Sequence, residues 1–143
     1  MTIQINQLLQ YGSFIAGKAL CDVSMSLHHK LAHVLGGTFG LAHADVHTVL
    51  QAYVLEYQWD ALSSSVQQDF KEALQHTYPP VALQTLAKNV KAPTQLKEIG
   101  FTEKDIDKAV DTVLAKPYAN PKPITKAGLE QLLQNALEGT LKH

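Results

Sequence analysis

The chain has one cysteine, Cys21, in 143 residues, so no internal disulfide can form. That usage fits a reducing compartment, and the expected location is cytoplasmic. Cys21 falls in an apolar helical stretch, where packing is expected rather than reactivity. Charge is also sparse: 17% of residues are charged and the net charge is −1. Nothing in that balance attracts nucleic acid or an anionic membrane, and the lysines are scattered rather than interleaved with aromatics. No apolar run is long enough to span a bilayer, and the opening residues do not read as a secretory leader. Strand-like alternation is missing. So is any glycine-rich strand-turn-helix segment able to cradle a pyrophosphate. The chain is therefore not expected to bind a dinucleotide by itself.

What remains is a helical pattern. Hydrophobic residues make up 45% of the chain, and its length is near the modal domain size. The expectation is one all-helical domain over residues 1–143. Ile5, Leu8, Leu9, Ile15, Ala16, Ala19, Leu20 and Val23 predict a first amphipathic helix. His28 to Leu35 predicts a second and Ala44 to Tyr57 a third. The serine run Ser63-Ser64-Ser65 caps a fourth, carrying Val66, Phe70, Ala73 and Leu74. Pro79-Pro80 should end that helix. Val81 to Val90 predicts another helix, and Gln95 to Ile99 a short one ending at Gly100. Thr102 to Asp105 reads as a capping box ahead of Ile106, Ala109, Val110, Val113 and Leu114. Pro117, Pro121 and Pro123 make an extended connector. Thr125 caps a last helix with Leu129, Leu132, Leu133, Ala136 and Leu137 inward. Tyr53, Tyr57 and Trp59 read as core or interface, and Asp45 as a first-turn carboxylate.

Histidine is the residue in excess. Five of the seven histidines, His28, His29, His33, His43 and His47, fall within twenty residues. Imidazole changes charge near neutral pH and is a common metal ligand. His29 and His33 are four apart, as are His43 and His47, so each pair shares one helix face. Gly36-Gly37 lies between the pairs and permits a sharp reversal. Two helical pairs joined by such a turn would face one cavity. Lys30 beside them is expected to be solvated. His76 lies before a proline turn and reads as a surface residue, and the terminal His143 reads as having no role.

These residues carry a resemblance. His29-Lys30-Leu31-Ala32-His33, Leu35-Gly36-Gly37 and His43 resemble the metal-site segment of group III, iron-containing alcohol dehydrogenases. The doublet His28-His29-Lys30 is most similar to the maleylacetate reductase branch. Tyr11-Gly12, Ala16 to Leu20, Ala92 to Gly100, Pro117-Tyr118-Ala119-Asn120-Pro121 and Leu132 to Gly139 fit that branch in order. The resemblance implies the C-terminal part of the family's dehydroquinate synthase-like helical domain, without the α/β nucleotide-binding domain. It implies that His29 and His43 match metal-ligand positions. The family's ligand set is one Asp and three His, and the Asp and the other ligating His would lie upstream of this segment. His33 matches a histidine near the nicotinamide and substrate. Ser26 stands where the family usually has Gly, and Ala42 and Ala52 where it has Pro.

Three functions follow as expectations. In the leading one, the chain is a stand-alone enzyme. His33, His29, His43, His47 and His28 would do non-redox acid/base chemistry (isomerisation, cyclisation, hydration or elimination) on a small carbonyl or enol substrate. Met1 directly ahead of a helix, together with a complete last helix, favours that reading. In the second, the chain is a subunit or fragment completing a maleylacetate reductase-like dehydrogenase with a separate nucleotide-binding subunit. In the third, it is a non-catalytic interaction module. No cofactor is expected on the chain itself, with iron or zinc at His29 and His43 as the alternative. Loss of the covering domain exposes apolar surface, so a homodimer or higher oligomer is expected.

Overall fold

The computed structural model describes residues 2–116 and 118–142, and no strand occurs among them. Seven α-helices run in order: α1 (Ile3–Asp22), α2 (Leu27–Phe39), α3 (His43–Gln58), α4 (Ser64–Leu74), α5 (Pro79–Asn89), α6 (Ile106–Leu114) and α7 (Lys126–Glu138). Short 3-10 turns at Trp59–Ala61, Leu96–Ile99 and Glu103–Asp105 join them. No described helix is long and apolar enough to cross a membrane.

Helix α3 is the central element: it packs against α2, α5 and α7, while α6 closes on α2 and α7. One contiguous core results, with Leu27, Leu31 and Leu35 of α2, Val46, Leu50 and Tyr53 of α3, Val110 of α6 and Leu129 and Leu133 of α7. The four-residue spacing of Leu27, Leu31 and Leu35, and of Leu129 and Leu133, is the 3.6-residue period turned inward. Tyr53 brings a polar group into that core, and it is satisfied: its hydroxyl donates to the Thr94 carbonyl at 2.8 Å and accepts from Gln84 Nε2 at 2.9 Å. Among the described residues, no buried side-chain N or O lacks a partner.

The helix ends follow local chemistry. The Thr2, Ser63 and Thr125 hydroxyls accept from the third residue onward, Ile5, Val66 and Gly128. The capping box at Thr102 and Asp105 forms in both directions. Gly100 and Gly139 take positive φ at their caps. Ile106, Ala109, Val110 and Val113 form the buried stripe of α6, with Leu114 packed at its edge.

Three expectations are corrected here. Helix α1 forms, but none of its residues is buried. Its apolar period says that a surface must be covered without saying by what. The extended backbone at Val23 and Ser26 carries it off the body. Cys21 is consequently exposed, not packed. Pro79 and Pro80 do not end α4; they occupy the first positions of α5, where a missing N–H costs nothing. Helix α4 ends earlier, at Gln75, which adopts φ 49°.

Candidate functional site: a cluster of five imidazoles

The site is assembled by the α2–α3 hairpin. Helix α2 does not reverse at Gly36-Gly37, as the sequence suggested; both glycines are helical. A helical glycine costs only about 1 kcal/mol, which continued packing offsets. The reversal comes at Gly40 (φ 69°), whose N–H bonds back to the Gly36 carbonyl at 3.0 Å. Gly36 instead leaves room beside the site: a Cβ there would sit 3.7 Å from His43 Nδ1.

The five rings form one connected cluster. His43 and His47, one turn apart on α3, have ring centroids 4.5 Å apart and Nε2 atoms 3.1 Å apart. His33 stacks on His43 at 5.8 Å. His29 lies edge-on to His47 at 5.0 Å and to His33 at 6.5 Å. His28 is 4.9 Å from His47 and 5.9 Å from His29. The His28 Nε2 atom is 3.2 Å from the His47 carbonyl. A carbonyl only accepts, so that nitrogen carries the hydrogen and fixes the tautomer. All five residues singled out in the sequence are thus brought together. His76 is exposed elsewhere, and His143 lies outside the described residues.

Exposure is graded across the cluster. His33 and His43 are open to solvent, while His28, His29 and His47 are half-buried. Burial pulls His47 down to about 4, with further lowering from His28, His43, His29 and His33. Burial also lowers His28, against the opposing effect of its bond to the His47 carbonyl. Both are therefore neutral at physiological pH. In the His43–His47 contact one Nε2 carries a hydrogen and the other accepts it, so a proton can pass between the two rings.

The residues do not by themselves complete a metal centre. Among the described residues, no group of three or more His, Cys, Asp or Glu side chains is arranged to hold an ion. His47 reaches both His29 and His43, so those two rings share a third imidazole as neighbour.

Two flanking groups were not foreseen. Lys30 is buried, not solvated; its Nζ sits 5.0 Å from the Tyr118 ring centroid. The ring face stabilises a cation that water no longer reaches freely. Asn120 Oδ1 accepts from Ser26 Oγ and Gln58 Nε2, both at 2.6 Å. It ties the connector to the start of α2 and the end of α3. The proline-flanked Tyr118–Asn120 segment was visible in sequence, but its long-range partners were not. Pro117, assigned to that connector, lies outside the described residues.

The sequence pattern described as Fe-containing alcohol dehydrogenase family, C-terminal, matches residues 3–137. The chain is 43% identical over 130 residues to a maleylacetate reductase of Delftia acidovorans, covering 91% of this chain and 37% of that protein. It is 38% identical over 128 residues to maleylacetate reductase 1 of Rhodococcus opacus, covering 90% of this chain and 36% of that protein. The crystal structure of a Rhizobium maleylacetate reductase superposes with a TM-score of 0.75 at 37% identity, over 82% of this chain and 33% of that one. An iron-containing alcohol dehydrogenase from Corynebacterium glutamicum gives 0.72 at 37% identity, over 80% and 32%. The chain thus spans little more than a third of the curated relatives it matches.

Proposed function

The chain belongs to the iron-containing alcohol dehydrogenase family, and on that footing we propose that it is the histidine-bearing helical part of a maleylacetate reductase-like enzyme. In this reading it works with a nucleotide-binding portion outside the sequence. A reduced nicotinamide held by that portion would supply hydride to the substrate. The observation that carries the reading is the convergence of His28, His29, His33, His43 and His47 on one face of the α2–α3 hairpin. The relatives favour this subunit or fragment over a self-contained non-redox enzyme, for which they offer no support.

The chain's own contribution is proton handling. His33 is exposed and stacked on His43, so it is the ring best placed to meet a small carbonyl or enol substrate. Behind it, His43 and His47 share a hydrogen at 3.1 Å and can resupply or drain a proton. His28 is held in one tautomer by the His47 carbonyl and steadies the inner wall. Positioned acid/base groups of this kind typically contribute ~10²–10⁴-fold in rate. Among the described residues the donor set for a metal is incomplete, so any metal would need ligands from outside them.

A chimera tests the proposal. This chain would replace the corresponding C-terminal part of the Delftia acidovorans enzyme. The expected result is NADH-dependent reduction of maleylacetate by the chimera, and no NADH binding by the isolated chain in a fluorescence titration. A folded chimera that binds NADH yet reduces no maleylacetate would overturn it, as would micromolar NADH binding to the chain alone.

A further inference from the structure

Lys30 is 9% exposed, and among the described residues its ammonium makes no hydrogen bond and no ion pair. A lysine is rarely buried to that degree without a partner of opposite charge. The contact it does make is with the Tyr118 ring, whose centroid is 5.0 Å from Nζ. No buried side-chain nitrogen among the described residues lacks a partner, so Nζ is not sealed. The stem is buried and the charged tip keeps a narrow opening to solvent.

Lys30 shares a turn of α2 with the exposed imidazole of the cluster. It follows His29 directly and precedes His33 by three residues, which sets the Lys30 and His33 Cβ atoms about 5–6 Å apart. The surroundings carry no acid. Neither Asp nor Glu occurs from Val23 to Ala44 or from Tyr118 to Thr125. On the helices packed against α2, Asp107 and Asp111 of α6 are exposed, and Asp111 lies 4.0 Å from Lys126. Asp45 of α3 makes no ion pair with Lys30 either. The anion that would complete this cation lies outside the described residues.

We propose that the Lys30 ammonium receives a carboxylate of the substrate, so that the site selects carbonyl acids over neutral carbonyl compounds. This rests on the reading of His33 given above and names the substrate class for it. An anion that arrives and leaves needs a cation that is tolerated in its absence. The Tyr118 ring is that resting partner, because its face stabilises the ammonium before any anion is bound. A lysine tied permanently to an acidic side chain would need no such support. Asn120 fastens the segment carrying Tyr118 to Ser26 and Gln58, so ring and ammonium are in place beforehand. Lys30 then holds the substrate's charge while His33, one turn along, handles the proton.

Two measurements test this. The first uses the full chain alone and needs no variant. Lysines are labelled with an N-hydroxysuccinimide ester and read by peptide mass spectrometry. Succinate, a small dicarboxylate, should slow labelling of Lys30 roughly tenfold at saturation, while exposed Lys104 is unaffected. Sodium chloride of equal ionic strength and the uncharged diamide should leave Lys30 unchanged. Labelling of Lys30 that succinate does not slow overturns the proposal. The second uses the Delftia acidovorans chimera. Lys30→Met, which keeps the buried stem, should raise KM for maleylacetate roughly 10–100-fold, with a smaller change in kcat. The uncharged diester should be reduced equally by parent and variant, and Lys30→Arg should recover part of the loss. Equal losses on maleylacetate and diester, with a lowered urea midpoint, overturn the proposal, because Lys30 would then pair with an acid of the nucleotide-binding portion. Succinate protection in a chain whose parent chimera reduces nothing sinks the reductase reading and leaves the carboxylate site standing.

Discussion

Ser26 Oγ donates to Asn120 Oδ1 at 2.6 Å across 94 residues of sequence. The same oxygen takes Gln58 Nε2, and the Asn120 amide donates to the Lys122 carbonyl at 2.6 Å. One side chain thereby fixes the connector against both helices that carry the imidazoles. Asn120→Ala should lower stability by about 1–3 kcal/mol, because half-buried partners lose their bonds. Chemical denaturation checks the loss. Asn120→Asp keeps the acceptor and should recover much of it.

The core hydroxyl of Tyr53 makes a second, independent prediction. Tyr53→Phe leaves the Thr94 carbonyl without its donor and removes the acceptor of one Gln84 bond. Gln84 keeps its bond to the Gly139 carbonyl at 2.9 Å, so the loss should stay near 1–2 kcal/mol. A urea midpoint that does not move would contradict this account of the core.

Acid should destabilise the fold through the cluster. His47 is lowered to about 4 and His28 is lowered as well, while an unfolded histidine titrates at its ordinary 6.5. The unfolded chain therefore binds protons first as pH falls below 6.5. The penalty is absent above that value and grows steadily down toward 4. Unfolding measured at pH 7.5 and pH 5 should show this decline. His47→Gln should flatten part of it, whereas His76→Gln, outside the cluster, should not.

Removal of residues 2–25 should leave the body folded. Helix α1 contributes no buried residue, and the core begins at Leu27. The shortened chain should unfold cooperatively, with its midpoint changed little. Collapse of the remaining helices would mean that the arm supports the body in a way its exposure does not reveal.

Much of this was legible in sequence, and the gaps have physical causes. The apolar period located the helices, because burial on one face imposes it on α6 and α7 regardless of partner. The four-residue spacings placed His29 with His33 and His43 with His47. The turn between the pairs was misplaced at Gly36-Gly37, since glycine permits a break without requiring one. Gly40 makes the break because its left-handed φ suits the cap. The exposure of α1 and the burial of Lys30 were not readable: both depend on what lies opposite. For Lys30 that is the ring of Tyr118, 88 residues away in sequence, and for α1 nothing within this body.

The most direct test of the central claim is kcat/KM for NADH-dependent maleylacetate reduction by the Delftia acidovorans chimera carrying His33→Ala, set against the same chimera with His76→Ala. If the imidazole cluster handles the proton, His33→Ala loses ~10²–10⁴-fold with NADH affinity retained, and His76→Ala behaves as the parent. Equal activity in both variants would contradict the assignment of this histidine cluster to the chemistry.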